Sequence, residues 1–510
     1  MYQHDQEVQK ISTRMRDFYA RKEPYRIFHG STNSTRNYTV DPAKMIDTRR
    51  LYRIISIDLE KLTALVEPNV PMDRLYKATS NFGLVPPVVM EFPGITVGGG
   101  FAGTSGESSS FKHGFFDATI NWAQIVLPNG DIVKASETEN SDLFHGAAGS
   151  FGTLGVATLF EIRLIKAKDY VEVEYRSVPS LTGTFDALKH AYNDSSNDYV
   201  DGIMLEKNRG LVITGKFTNT ISPDAPLQGF REARAPWFYI HADRITRPSF
   251  FSSASTTIVK KETVSLMDYL FRYDRGAFWT GAYAFKYFLV PFNRITRWAL
   301  DDFMKTRVMY HALHASGHAR QYMIQDLAIP AHNAEKFVEY VDETFGFYPL
   351  WLCPLRTSPT TTTRKVSMHP QSTSPSGDED DGWLVNVGVW GPGPSDYKKF
   401  VQVNRDLERE VRELGGMKWL YAQAFYTEDE FWDIYGPRQE YDALRRRYHA
   451  DHLPDVYEKV RVDLSEMDGD KSYVEWIKDA FWATWPMTGL YGVLQTLVSK
   501  DYLLSKDRKA

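Results

Sequence analysis

The sequence predicts an α+β protein with at least two domains, and three observations support this. The chain has 510 residues, which is more than a single hydrophobic core usually holds. Hydrophobic residues make up 43% and aromatic residues 14% of it, as in well-packed globular proteins. Strand and helix patterns alternate in the first third, whereas residues 193–390 mix strand-like pieces with aromatic-rich helical stretches.

The first third contains the clearest local signals. Residues 64–70 are typical of a strand, and residues 72–83 of a helix that ends at a glycine. Two β-rich runs flank Asn129 and Gly130. These runs predict a hairpin, because this dipeptide favours the tight turn that joins two antiparallel strands.

The remaining elements follow from start signals and periodicity. A short helix is expected to begin at Ser141 or Asp142, and residues 156–165 predict a strand. Residues 397–414 predict a helix, because apolar residues recur there at helical spacing. A last helical region is expected over residues 428–460.

The most informative stretch runs from Pro93 to Gly114 and contains seven glycines in twenty-two residues. Glycine lets the backbone approach a ligand closely, and such a stretch offers many N–H donors for a phosphate or a flat polar ring. Its spacing is neither the dinucleotide fingerprint nor the P-loop, which argues against both nucleotide folds. A flexible linker is the alternative, but Phe92, Val97, Phe101 and Phe115 are typical of segments anchored in a core.

A second candidate anion-binding turn lies upstream of the glycine run. His29, Gly30, Ser31 and Thr32 directly follow a short predicted strand over residues 26–28. The motif is weak by itself and gains weight from its pairing with the glycine run, since two loops can enclose one cofactor.

Composition excludes several classes of function. The formal net charge is −5, so no nucleic acid or other polyanion is indicated as a partner. The single cysteine, Cys353, rules out a disulfide framework and mildly favours a reducing compartment. His311, His314 and His318 do not form a recognisable metal motif, and no metal is expected.

Several longer motifs identify a family. They are PGITVGGGFAGTSGESSSFKHG and ENSDLFHGAAGSFGTLGVATLFEIRLI, followed by IQDLAIP, YPLWLCPL, YTEDEFWDIYG and HLPDVYEKV. In these motifs the chain resembles the delta24-sterol reductases, the diminuto/seladin-like proteins of the vanillyl-alcohol-oxidase class of FAD flavoproteins. The resemblance covers roughly residues 10–460. The later motifs matter because general members of the flavoprotein class lack them.

The resemblance implies a PCMH-type, two-subdomain FAD-binding domain combined with an α+β cap domain. The FAD-binding domain would occupy residues 1–200 and the cap, which covers the substrate side, residues 201–400. Residues 401–465 would return to the FAD domain. Residues 466–510 would form an aromatic C-terminal tail.

The resemblance also implies which residues bind FAD. These are the first turn, the glycine run and the glycines after the helix near residue 141: His29, Gly30, Ser31, Thr32, Asn33, Pro93, Gly94, Thr96, Val97, Gly98, Gly99, Gly100, Gly103, Thr104, Ser105, Gly149, Gly152, Gly155 and Val156. Many members of the class link FAD covalently to a histidine. The aligned position here is Ser31 or Thr32, so non-covalent FAD is expected, with His113 as an alternative anchor.

The implied reaction is reduction of an isolated double bond in a sterol or isoprenoid side chain, with NADPH as electron donor. No carbonyl polarises such an alkene, so an acid must protonate one carbon while hydride reaches the other. Glu107 in the glycine run and Tyr273, Asp274 and Arg275 in the cap are the catalytic candidates. Their alternatives are a ring-edge or structural role for Glu107 and an Asp–Arg ion pair for the others.

Weaker candidates and other functions remain. Phe278 and Trp279 would supply ring faces to the site, and Lys418 and Tyr421 could contact the flavin. An oxidase or dehydrogenase of a secondary metabolite on the same scaffold is the main alternative, and a non-redox flavoprotein that binds or cyclises a lipid is a third.

The aromatic C-terminal tail, residues 466–510, is relevant to the location of the protein in the cell. Residues 472–498 carry three tryptophans, and predict a helix on the protein surface, in a dimer interface or in a membrane interface. The animal and plant reductases carry an N-terminal anchor, and the tail is expected to substitute for it. The expected location is intracellular, either cytoplasmic or peripheral on the endoplasmic reticulum membrane, and the oligomeric state stays open.

Overall fold

The protein has the α+β architecture that the sequence predicts. The computed structural model describes residues 1–30, 41–248, 257–316, 321–357, 368 and 382–464. Predictions on Ser31, Thr32, Asn33, His318 and the tail from residue 466 therefore lie outside the described residues. Within the described part, no helix is both long and apolar enough to cross a bilayer.

The first body of the molecule takes most of residues 1–166. Its helices are α1 (Tyr2–Arg21), α2 (Met72–Ser80), α3 (Val97–Gly103), α4 (Ser110–His113) and α5 (Ser141–Ala147). Its strands are β1 (Arg26–Phe28), β2 (Met45–Asp47), β3 (Ile54–Asp58), β4 (Thr63–Val66), β5 (Leu84–Val85), β6 (Ile120–Val126), β7 (Ile132–Ser136), β8 (Val156–Arg163) and β9 (Ile165–Lys166).

A described antiparallel sheet in the order β3-β4-β8-β6-β7 forms the centre of this body. The predicted hairpin is confirmed: β6 and β7 pair up to Val126 and Ile132, and Gly130 in the turn has φ +86°. Helix α1 buries Val8, Ile11 and Met15, a spacing that places them on one helical face. Ser12 Oγ ties this helix to the hairpin by donating to the Gly130 carbonyl at 2.6 Å.

The second body is built on a larger sheet. Its strands are β10 (Tyr170–Val178), β11 (Tyr199–Glu206), β12 (Arg209–Thr218), β13 (Leu227–Gln228), β14 (Ile258–Ser265), β15 (Tyr322–Pro330), β16 (Leu350–Arg356), β17 (Trp383–Pro392) and β18 (Met417–Lys418). Its helices are α6 (Leu181–Asn193), α7 (Phe238–Thr246), α8 (Leu266–Leu270), α9 (Thr280–Tyr287), α10 (Arg294–Ala299), α11 (Thr306–Ser316), α12 (Ala331–Phe345) and α13 (Tyr397–Glu413). The described strand order is β13-β14-β10-β12-β11-β16-β17-β15-β18.

The membership of this sheet differs from the domain limits that the sequence suggests. The sheet begins at Tyr170, so the limit at residue 200 falls inside it. Helix α13 buries Phe400, Leu407 and Val411 in the same core as strands β15–β17. Residues 397–418 therefore pack on the second body, because β18 adds an edge strand next to β15.

The chain returns to the first body only after β18. The expected helical region over residues 428–460 is three helices, α14 (Glu428–Tyr435), α15 (Arg438–Arg447) and α16 (Val456–Val460), separated at Pro437 and Pro454, since proline interrupts helical hydrogen bonding. Helix α15 packs on α5. The Tyr448 hydroxyl donates to Asp142 Oδ1 at 2.6 Å.

The strand expected over residues 64–70 is shorter than expected, because it stops at Val66, two residues before Pro68. Helix α5 begins at Ser141, as expected, and Asn140 directly before it adopts φ +48°. The glycine run forms helix α3 instead of an irregular loop, and its Thr96 Oγ caps the helix by accepting from the Gly99 N–H at 3.2 Å.

Helix α3 offers a test of why glycine is needed inside a helix. A Cβ on Gly100 would lie 2.5 Å from Met90 Cε and 2.8 Å from Phe116 Cδ1, whereas one on Gly103 would meet no atom within 4 Å. We expect Gly100→Ala to lower the free energy of unfolding by about 1–3 kcal/mol through overpacking. Urea unfolding of the apoprotein measures this, with Gly103→Ala as the matched control. Equal stability of the two variants would contradict the packing argument.

Candidate active site

A cavity of about 740 Å³ is lined by residues of both sheets, within the roughly 300–1,000 Å³ usual for cofactor and ligand pockets. The first body contributes the end of β1, the glycine run and the turn after α5. The second body contributes β15, β16 and β17, and residues 419–423 and 458–463 complete the wall.

Many of the predicted cofactor-binding residues meet at this cavity. Those that line it are His29, Gly94, Thr96, Gly98, Gly99, Gly103, Ser105, Gly152, Gly155 and Val156. Those that lie behind or beside the wall are Gly30, Pro93, Val97, Gly100, Thr104 and Gly149. Two of the second group have a clear supporting role, since Val97 is fully buried and Thr104 accepts a hydrogen bond at its carbonyl from Trp419 Nε1 at 2.9 Å.

One part of the wall is basic. The Nδ1 atom of His29 is buried and has no hydrogen-bond partner among the described residues. Burial lowers the pKa of His29, and the nearby positive charge of Lys459 lowers it further. Lys459 and Arg461 also line the cavity, beside Glu458 and Asp463. The two cationic side chains and the unpaired Nδ1 of His29 offer contacts to a negatively charged group such as a pyrophosphate.

Another part of the wall combines two carboxyl groups and a phenol, and we call Glu91, Asp326 and Tyr421 the acidic cluster. The Tyr421 hydroxyl donates to Asp326 Oδ2 at 2.6 Å, and Asn386 Nδ2 donates to Asp326 Oδ1 at 3.2 Å. Burial raises the pKa of Asp326, and the hydrogen bond from Tyr421 acts in the opposite direction. The effect of burial is the larger one, so the pKa of Asp326 lies above its ordinary value despite these hydrogen bonds.

Glu91 is in a different environment. Its side chain is largely buried between Met90 and Phe92 of an apolar run, and it forms no ion pair with a described lysine or arginine. Burial raises the pKa of Glu91 to about 8, and the charge of Asp326 adds to the effect while that of Arg272 opposes it. Glu91 therefore carries a proton at neutral pH.

Aromatic rings surround the acidic cluster. Phe92 contacts Tyr310 and Trp390 edge to face, with ring centroids 6.3 and 5.9 Å apart. Trp351 lines the same space. These rings offer an apolar surface to a ligand in this part of the cavity.

Glu107 is buried in the cavity wall next to Glu91. Its Oε1 accepts a hydrogen bond from the Glu91 backbone N–H at 3.1 Å, and its own N–H donates to Ser110 Oγ at 2.8 Å. The carboxyl group thus fixes the backbone that presents Glu91 while it also faces the cavity.

The other three catalytic candidates do not line the cavity. Tyr273 donates from its hydroxyl to Asp201 Oδ2 at 2.7 Å, and Asp274 accepts from the Thr306 N–H at 3.1 Å at the start of α11. Arg275 pairs with Asp301 at 2.7 Å. The ion pair that the sequence suggested as an alternative is present with Asp301 as the partner, and these three side chains organise the second body.

Only one of the two weaker candidates for flavin contact lines the cavity. Tyr421 lines it, whereas Lys418 is fully buried and its Nζ donates to Glu408 Oε1 at 2.8 Å. His113 also lies away from the cavity wall, and burial lowers its pKa to about 4.

Sequence reasoning missed Glu91, Asp326, Tyr310, Trp351 and Trp390. The signal for the two acids was available: each is a lone carboxylate in an apolar run, MEF and IQDLAIP, and an unpaired acid in such a run is unusual unless it has a function. The aromatic residues gave no separate signal, because aromatic side chains occur throughout this chain.

Comparisons with known proteins indicate the class of this chain. A family model for an FAD binding domain matches residues 4–136. The chain is 28% identical over 418 residues to the delta(24)-sterol reductase of Rattus norvegicus, covering 80% of this chain and 76% of that protein. It is 28% identical over 438 residues to that of Arabidopsis thaliana, with 79% and 74% covered. Cytokinin dehydrogenase 9 of Oryza sativa is 29% identical over 153 residues, 29% of each chain.

These findings confirm the resemblance and the PCMH-type fold class predicted from the motifs. The reductases match over about four-fifths of the chain, so the similarity extends beyond the FAD-binding domain into the second body. The match to the dehydrogenase is limited to 29% of the chain.

Arg275 provides a test that separates a structural role from a catalytic one. Its guanidinium donates to Asp301 and to the carbonyls of Phe230, Ala233 and Ala235. We expect Arg275→Met to lower the free energy of unfolding by about 3–5 kcal/mol, because it strands a buried carboxylate. Urea titration measures this, with the exposed Arg231→Met as control. Lost activity at unchanged stability would instead favour a catalytic role.

Proposed function

We propose that this chain, a relative of the delta(24)-sterol reductases with an FAD-binding domain, is an FAD-dependent reductase of an isolated carbon–carbon double bond in a sterol side chain. The observation that carries the proposal is the extent of the similarity: curated reductases from animals and plants match about four-fifths of the chain, including the second body. The relatives and the FAD-binding domain together support an oxidoreductase that acts on a carbon–carbon double bond.

The cavity wall fits FAD. The unpaired Nδ1 of His29 offers a hydrogen-bonding group to a ligand. The open space at Gly103 leaves room for the ligand. We assign the basic part, with His29, Lys459 and Arg461, to the pyrophosphate, and the glycine run to the ring system. When bound, the flavin supplies the hydride for the reduction.

The chain's own residues must then bind the alkene and hold a proton. Phe92, Tyr310, Trp351 and Trp390 offer an apolar, aromatic surface to a sterol. Such faces also stabilise positive charge that develops on carbon during protonation.

We assign the proton to a carboxyl oxygen of Glu91. Its pKa of about 8 keeps it protonated at neutral pH, and a buried acid near the operating pH is well suited to general acid catalysis. The neighbouring Asp326 favours this state, since two buried carboxyl groups close together resist carrying two negative charges. After transfer Glu91 is a carboxylate and regains a proton from solvent.

Substitution of Glu91 tests this assignment. We expect Glu91→Gln to slow sterol-dependent reoxidation of the reduced enzyme by about 10²–10⁴-fold, measured by stopped-flow absorbance. We also expect the wild-type rate to fall as pH rises through about 8, because Glu91 then loses its proton. Glu107→Gln is the matched control from the same wall. If that variant loses the rate and Glu91→Gln keeps it, Glu107 is the donor.

A second measurement needs no turnover. A carboxyl whose pKa is 4.5 unfolded and about 8 folded binds more protons in the native state. Its contribution to stability is fully present below the unfolded pKa and is lost as pH rises through the folded one. Urea unfolding of apoprotein across this window should therefore show a steeper decline for wild type than for Glu91→Gln.

The electron donor is proposed to be NADPH. We expect anaerobic NADPH to bleach the flavin absorbance of the FAD-loaded protein, and a delta(24)-sterol to restore it. A protein that reoxidises rapidly in air and not with the sterol would instead be an oxidase. A flavin that neither NADPH nor candidate substrates reduce would point to a non-redox role.

A further inference from the structure

An exposed apolar patch lies on the second body, away from the acidic cluster. Leu289, Phe292, Ile295 and Trp298 are 73%, 39%, 74% and 50% exposed. They lie within one fifteen-residue stretch, residues 286–300, that includes helix α10. Single exposed apolar residues are ordinary, but four within fifteen residues, one of them a tryptophan, indicate an interaction surface.

The charge of this stretch is one-sided. It contains Lys286, Arg294 and Arg297 and no acidic residue, in a chain whose formal net charge is −5. Lys286 and Arg294 are exposed, and the Arg297 guanidinium lies 4.8 Å from the centre of the Phe292 ring. The patch is therefore both apolar and basic.

The inner side of the stretch is firmly held. Phe292 packs against Trp237 and Phe285, with ring centroids 5.4 and 5.2 Å apart. Asn293 and Thr296 form a capping box at the start of α10. The exposed side chains are thus presented by an anchored backbone, which reduces the entropy lost when a partner binds.

The patch is connected to the cavity wall through a short stretch of chain. Residues 301–303 form a single turn, and α11 then begins at Thr306 and places Tyr310 in the wall. On the other side, Trp279, directly before α9, donates from Nε1 to the carbonyl of Trp390 at 2.9 Å. Trp279, before the patch in the chain, and Tyr310, after it, thus both contact the aromatic part of the site.

We propose that residues 286–300 bind the surface of an anionic phospholipid bilayer. Leu289, Ile295 and Trp298 enter the boundary between headgroups and acyl chains, where tryptophan is favoured, and Lys286 and Arg294 face the anionic headgroups. Binding through the patch places the part of the cavity wall at Tyr310 next to the bilayer, in which a sterol dissolves. This consequence for a sterol substrate rests on the proposed function. The aromatic tail is a separate candidate for membrane contact.

Vesicle binding of the full-length chain tests the surface without turnover. We expect co-sedimentation with phosphatidylcholine vesicles containing phosphatidylserine and weaker binding to pure phosphatidylcholine. Leu289→Asp with Ile295→Asp should reduce the partition coefficient about tenfold or more, and Arg294→Ala about fivefold with the anionic vesicles only. Ile221→Asp with Leu227→Asp, at two exposed apolar positions elsewhere, is the matched control and should bind as wild type.

Two further measurements separate the outcomes. Urea unfolding and FAD affinity should be the same for the patch and control variants, so that lost binding is not misfolding. Sterol reduction in detergent should also be the same for the patch variant and wild type. Vesicle binding is measured without turnover, so that test remains valid if the proposed function is wrong. Wild-type binding by the patch variant would overturn the proposal in favour of the tail. A dimer that the patch variant dissociates, without vesicle binding by wild type, would overturn it in favour of a second copy.

Discussion

The site depends on the close approach of the glycine run to both bodies of the molecule. A Cβ on Gly98 would lie 2.8 Å from Pro68 Cβ in the first body, and one on Gly106 would lie 2.9 Å from Leu355 Cδ2 in strand β16 of the second. Just beyond, the Ser108 carbonyl accepts from the Val200 N–H at 2.7 Å, which joins the run to the large sheet. Because Gly98 in α3 and Gly106 after it have no Cβ, the glycine run can approach both bodies closely.

Buried charge arranges the second body around that cavity. Asp201 accepts from Arg272 at 2.9 Å, from Tyr273 at 2.7 Å and from Trp351 Nε1 at 3.2 Å. The last bond orients a tryptophan that lines the cavity. Tyr273 stacks on Phe278, with ring centroids 4.3 Å apart, and extends this support. A network of this kind is costly to break, since each buried charge needs its partners.

Burial raises the pKa of both Glu91 and Asp326 in the cavity wall. Asp326 has hydrogen-bond donors in Tyr421 and Asn386, which oppose the rise in its pKa, whereas the charge of Asp326 adds to the rise in the pKa of Glu91. Hydrogen bonding favours the charged form and desolvation the neutral form. A neutral acid beside aromatic faces is the arrangement that an unpolarised alkene requires.

The sequence by itself determined the local elements and the class of the protein. The Asn129-Gly130 hairpin and the helix from Tyr397 depend on neighbouring residues, and the motifs led to an FAD-binding fold with most of the glycine-run residues at the cavity. Only the tertiary structure decided which acids face the cavity. Glu91 and Asp326 are 235 positions apart in the chain and meet through packing of the two bodies, while Asp274 and Arg275 point into the second body. Spacing along a chain predicts a turn or a helix face, but orientation toward a cavity between two bodies depends on contacts that no local pattern contains.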